Sequence, residues 1–417
     1  LPTAGPAERL RALGERLLTA QRGLRVLEAL RWDGRVERAF LARGARGLPA
    51  VAAEDYRPLP FDVGQKEAEL AGLEADIRRS LGEADGPGRL LARRCREARG
   101  VVRLLAARGT AEFARRSREL YGTTLGGGDL TAELEGVMGE WVSPGGVFAE
   151  LGGTVRARLS AAQTAAALAE RLSVYFRGEP AVGVCLEDDL LADATADGPS
   201  LKLRRAANFH PRDIRLLEVH EGWVHLGTTL NARRQTACAF LARGTPSATR
   251  TQEGLAVLME FLAGVAHPAR VRRLLLRTRA VALAERGADF RDVYRLFRES
   301  GAPPRESFHH AARVFRGGVP AGGPCTKDLC YGLGLLEVWR GVRAALAAGR
   351  SAELPLLFCG KTVFDELPAL AELREAGLLR PPAFLPPPFN DPRRLARQVE
   401  GLALVRGGFR PGRPAIS

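Results

Sequence analysis

The chain has 417 residues, enough to bury a substantial core, and 46% hydrophobic with 26% charged residues excludes a disordered or fibrous protein. Sixty-two basic against forty-eight acidic residues leave a net charge of +14, which would draw an anionic partner. Only four of the basic residues are lysines (Lys66, Lys202, Lys327 and Lys361), and the arginines are spread evenly, so the charge reads as a composition habit and nucleic acid is not the expected partner.

Residues 1–48 place Leu10, Leu13 and Leu17, then Leu24, Leu27 and Leu30, at helical spacing. Gly14 and Gly23 interrupt it, which predicts two or three helices. Prolines make 55–61 a connector. Helical periodicity returns at 64–80, 87–107 and 110–120. A Gly-rich stretch follows at 121–128, then a short helix at 130–140 and a turn at 143–146. A helix near 154–172 leads into three apolar runs that read as strands: Leu172–Phe176, Val182–Leu186 and Leu201–Arg205. The next helix starts near Pro211 or Arg212, with Asp213 in its first turn. Further helices are expected at 252–265, 269–286, 289–299 and 328–348. A strand at 354–358, a helix at 364–376, a Pro-rich bend at 381–388, a strand at 402–406 and a flexible tail over 407–417 complete the chain. The expected division is a helical N-terminal region over 1–120, a Gly-rich boundary or loop over 121–150, and a core over 151–406. No apolar run of 18 residues and no leader-like start is present, so neither a membrane span nor a secretory signal is expected. Six cysteines without a CxxC pair suit a cytoplasmic protein.

Two of the six histidines stand in Val219-His-Glu-Gly-Trp-Val-His225. Imidazoles are good zinc ligands, and an adjacent carboxylate can polarise a metal-activated water. The spacing is awkward. Five residues of regular helix turn the second ring about 140° from the first, whereas a π turn reduces the offset to roughly 50°. Gly222 makes that distortion cheaper, so a π-type turn near 221–225 is expected. The plain alternative is two unrelated histidines on different faces. Glu253, in Thr251-Gln-Glu-Gly-Leu-Ala256, is the best third ligand. It stands at the start of a predicted apolar helix, where capping would be the ordinary explanation. Two His, one Glu and an open position make a hydrolytic zinc site, whereas calcium or magnesium wants more oxygens.

The first motif followed by Gln252-Glu-Gly-Leu-Ala256 resembles the bacterial family named for its QEGLA motif and labelled as modulating flavohemoglobin expression. That family is similar to the microtubule-associated tyrosine carboxypeptidases, which are zinc peptidases. The likeness continues through Cys185–Leu190, Arg313–Gly317, Thr326–Gly332 and Pro382–Pro386, and covers roughly 60–406. It implies Zn2+ held by His220, His225 and Glu253, Glu221 as the catalytic glutamate, and removal of one C-terminal residue.

Around that centre, Arg313, Arg316 and Lys327 suit the grip of a C-terminal carboxylate, with surface charge as the plain reading. Tyr331 follows Lys327 by four and could donate to a developing oxyanion. Trp223 reads as core packing. The expected fold is α+β, a mainly helical zincin-like metallopeptidase core with a small β-sheet. The expected function is a zinc-dependent carboxypeptidase acting on a peptide or protein, with an acidic C-terminal tail among the candidate substrates. The alternative is a non-enzymatic regulatory or interaction protein with a structural or degenerate metal site.

Overall fold

Thr245 opens the helix around which the rest is arranged. Its hydroxyl accepts from Ala248 N at 3.3 Å, Pro246 takes the first helical position, and Glu97 accepts from Ser247 N at 2.9 Å. The resulting helix, Pro246–Leu262, is buried along most of its length and crosses the Leu329–Ala347 helix. At the crossing the two backbones touch. A Cβ on Gly334 would lie 2.1 Å from the Arg250 carbonyl oxygen, so only glycine permits the approach.

This computed structural model describes residues 5–82, 86–126, 128–142, 158–179, 182–188, 190 and 192–406. The turn expected at 143–146, the tail at 407–417 and the first residues of the helix expected from 154 lie outside them. The fold is mainly helical with two small sheets. In the larger sheet, β2 (Gly183–Glu187), β3 (Ala194–Asp197) and β4 (Ser200–Arg204) lie in the order β2-β4-β3, with β2 parallel and β3 antiparallel to β4. Leu201 and Leu203 alternate with Lys202 and point into an apolar cluster with Leu168, Leu172, Leu226 and Leu230. The smaller sheet pairs β1 (Leu159–Ser160) with β5 (Asn208–Phe209).

The Pro6–Ala20 helix buries Leu10, Leu13 and Leu17 in the same apolar cluster as Val219, Leu255 and Trp339. A second cluster stacks Trp32, Phe40, Phe290 and Phe308 with ring centroids 5.2–6.5 Å apart. Among the described residues no helix is long and apolar enough to cross a membrane.

Three expected strands are helical instead. Leu172–Phe176 completes the Ala161–Tyr175 helix, 354–358 lies in the 3-10 segment Ser351–Phe358, and 402–406 ends the Pro392–Arg406 helix. Short apolar runs do not distinguish a buried strand from a buried helical turn. At 354–358 all of Leu354, Leu356, Leu357 and Phe358 are buried, so no alternation was available to read.

Candidate metal centre

The Pro211–Leu217 helix begins with His210 accepting from Arg212 N at 3.1 Å and Asp213 accepting from His210 N at 2.8 Å. It then widens into a π-helix, Glu218–Leu226, before returning to α geometry over Gly227–Arg233. Gly222 makes room for this: a Cβ there would stand 2.6 Å from Leu172 Cδ2. The widened turn does what the five-residue spacing requires. The His220 and His225 ring centroids lie 4.9 Å apart with planes at 77°.

Glu253 faces both rings. Its Oε2 lies 3.5 Å from His220 Nε2 and 3.5 Å from His225 Nε2. One ligand atom from each of the three residues falls within 4.8 Å of the others. Donors at zinc-bond distance around a tetrahedral ion stand about 3.3 Å apart, so the set fits such an ion. Glu253 Oε2 is buried without a hydrogen-bond partner, which a metal bond would satisfy. Burial acts to raise its pKa, but His220 and His225 outweigh this and hold it well below the carboxylate range. Glu253 is not at a helix start, as the sequence suggested. The helix begins seven residues earlier at Pro246, which removes capping as an explanation of the carboxylate.

Glu221 stands beside the three. Its Oε1 is 4.0 Å from His220 Nε2, and its Oε2 accepts from Ala196 N at 3.0 Å. Ala196 belongs to β3, an edge strand whose backbone is free to hold a side chain. The small sheet thus fixes the carboxylate next to the ligand cluster.

The family model described as microtubule-associated tyrosine carboxypeptidase matches residues 38–403. The chain belongs to that family. This corrects the resemblance to the bacterial flavohemoglobin-expression family: the match lies in the carboxypeptidase family itself, and nothing found ties the chain to the bacterial one. No curated protein matches the chain.

Within this family member, the other expected site residues divide. Tyr331 lies in the first turn of Leu329–Ala347 and senses the Glu253 charge; burial pushes its phenol up, so it stays protonated. Arg313 is committed to Asp328, to which its Nε and Nη2 both donate at 2.8 Å. Arg316, 6% exposed, places Nη2 3.6 Å from the same carboxylate. Lys327 is turned elsewhere. Its Nζ lies 5.8 Å over the Tyr121 ring, and it lines a surface pocket of about 280 Å³ with Gln21, Arg243 and Thr249. Trp223 packs, 5% exposed, against Tyr175 at 5.5 Å and beneath Arg215. Burial raises the Cys330 thiol to about 12, which leaves it unfit as a nucleophile.

Four residues in or near the candidate site were not singled out in the sequence. Glu260 Oε1 accepts from His220 Nδ1 at 2.7 Å and is itself gripped by Arg270 at 2.7–3.0 Å. Burial acts to raise Glu260, but Arg270 and the histidine bond hold it at about 2. An anion there fixes the proton on Nδ1 and leaves Nε2 free to ligate. Its signal was the seven-residue step from Glu253, two turns along one face. Lys361 donates to His225 O at 3.1 Å; a single lysine among scattered arginines gave no signal. Arg277 lies 5.5 Å over the Tyr331 ring, with no carboxylate paired to it among the described residues and its Nε unpartnered. Burial, reinforced by Arg313, lowers it to about 10. The same two effects, burial first and then Arg277, lower His310 to about 4.

Proposed function

We propose that the chain is a zinc-dependent metallopeptidase with a zincin-like core, removing one residue from the C-terminus of a peptide or protein. The observation that carries this reading is Glu221, held by Ala196 N beside a His, His, Glu set with zinc-like separations. Zinc bound by His220, His225 and Glu253 supplies a Lewis acid and lowers the pKa of water. Glu221 takes the proton of the attacking water on Oε1 and passes it to the leaving amine. Tyr331, kept protonated by burial, donates to the oxygen on which negative charge develops.

The exopeptidase mode needs a cation to receive the free carboxylate. Arg313 and Arg316 share Asp328, and Lys327 lines another pocket. The role therefore passes to Arg277, whose guanidinium lies over the Tyr331 ring and makes no salt bridge among the described residues. The test is Glu221→Gln. It should keep one zinc per chain while losing turnover of a free-acid peptide by about 10²-fold or more. Loss of zinc, or near-normal turnover, would show the role to be misassigned.

A second reading keeps the metal and drops the chemistry: a regulatory or interaction protein whose metal is structural. The burial of His220 (5% exposed) and Glu260 (0%) favours it, because structural sites are closed. It predicts stoichiometric zinc, no cleavage of any peptide, and Glu221→Gln indistinguishable from the parent in partner binding.

A further inference from the structure

Lys361 is a half-buried lysine whose ammonium donates to three neutral oxygens. Its Nζ donates to His225 O at 3.1 Å, Thr228 Oγ1 at 2.9 Å and Gln252 Oε1 at 3.3 Å. Three ammonium protons meet three acceptors, and among the described residues no carboxylate is paired with it. These acceptors are not scattered. His225 is the second candidate ligand, one residue before the π segment ends, and Gln252 directly precedes Glu253. Thr228 Oγ1 also lies 2.8 Å from Gln252 Oε1, so the hydroxyl bridges the same two strands of chain.

The lysine stands on a rigid base. Its own N–H donates to Leu241 O at 2.8 Å, and its carbonyl accepts from Arg94 Nη2 at 2.9 Å. Arg94 is 1% exposed and pairs with Glu366 at 3.0 Å. Gly360, just before it, packs so tightly that a Cβ would lie 2.7 Å from Leu241 Cβ. The ammonium is consequently presented at a fixed point, and its three bonds tie the main chain of one ligand to the neighbour of another. Thr229 adds a further donor to His225 O at 2.8 Å, so side chains crowd the carbonyl at the exit of the widened turn.

We infer that Lys361 is a positioning residue that sets the separation of His225 from Glu253 and thereby the metal affinity of the site. The inference rests on the zinc reading above. A lysine present only to fill space would be replaced without loss by methionine, which keeps the stem and much of the volume. A lysine present only for its charge would be replaced by arginine. Neither substitute brings three donors to one nitrogen at this point, because the guanidinium is a planar fork.

The test is zinc affinity of the full chain by competition with a chromophoric chelator, with the visible absorption of the Co2+-substituted protein as a second readout. Lys361→Met should weaken zinc about 10–100-fold, the usual worth of a group that orients a ligand, and alter the cobalt bands. Lys361→Arg should recover only part of the loss. Wild-type zinc affinity and cobalt spectrum in Lys361→Met, or full recovery in Lys361→Arg, overturns the inference. If Lys361→Met does not fold, Thr228→Val removes the bridging hydroxyl alone and should weaken zinc severalfold; unchanged affinity there also overturns it. His225→Ala separates the two levels. If His225→Ala abolishes zinc uptake while Lys361→Met binds zinc as tightly as the parent, only this inference fails. If the parent protein takes up no zinc, the metal reading fails and takes this one with it.

Discussion

Gly254 and Gly334 meet backbone to backbone: a Cβ on Gly254 would lie 2.1 Å from the Gly334 carbonyl oxygen and 2.2 Å from its carbonyl carbon. Glu253 is the residue before the first glycine, and Tyr331 is three residues before the second. The contact therefore sets how closely a candidate metal ligand approaches a candidate oxyanion donor. Gly334→Ala forces main chain apart where no flexible side chain can yield. We expect a loss of about 3 kcal/mol in urea unfolding, with weakened zinc binding in the fraction that folds. A stability change below about 1 kcal/mol would mean that the helices separate without strain.

How much of this was legible beforehand follows from the type of signal. The π turn could be read because two histidines five apart converge on one side only if the helix widens, and Gly222 stood at the right place. The residues of the candidate His220, His225 and Glu253 cluster followed from residue chemistry. The periodicity places the start of the helix around Glu253 too late, because the polar residues Ser247, Thr249 and Arg250 hide its first two turns. The edge strand that holds Glu221 through Ala196 leaves no side-chain signature, since the bond comes from the backbone. Arg277 could not be singled out, because its place over the Tyr331 ring is a property of the folded chain alone.

Glu260 should matter to the metal without touching it. Glu260→Gln keeps the shape but removes the anion that orients His220 and balances Arg270. Zinc affinity should fall about 10–100-fold. Stability should fall too, by up to roughly 3–5 kcal/mol, because Arg270 is left buried without a partner charge. Chelator competition and urea unfolding measure the two separately. Parent-like zinc affinity in a folded Glu260→Gln would remove it from the site.

Asp328 gives a pH signature. Burial acts to raise its carboxyl, but Arg313 and Arg316 outweigh this and hold it well below the usual range. A depressed folded pKa contributes stability that is fully present above the ordinary value of about 4 and is lost as pH falls through the folded value. Below about pH 4 the parent protein should therefore lose stability partly through this group. Asp328→Asn should be less stable at pH 7, by about 3–5 kcal/mol for a broken buried pair, and should lack that share of the acid slope. Thermal unfolding between pH 3 and 7 checks both, at roughly unit pH steps; parallel curves for the two proteins would contradict the assignment.

Arg277 is the sharpest test of which end of a peptide is read. If it receives the terminal carboxylate, amidating a peptide substrate should lower kcat/KM by about 10–100-fold, since a hydrogen bond to a charged group is worth roughly 1.5–3 kcal/mol. Arg277→Gln should bring the two substrates close together, chiefly by slowing the free acid, because the amide had nothing to lose. Arg277→Lys keeps the charge but not the two-pronged grip, and should fall between. Arg316→Gln should disturb stability through Asp328 and leave the ratio of acid to amide unchanged. The protein's positive charge could also speed encounter with an acidic chain, but steering of that kind fades as salt rises. Discrimination that persists from about 0.05 to 0.5 M salt therefore belongs to a recessed contact, and its disappearance in Arg277→Gln alone assigns it. Equal cleavage of acid and amide by the parent protein would reject the exopeptidase mode and leave the candidate metal site standing.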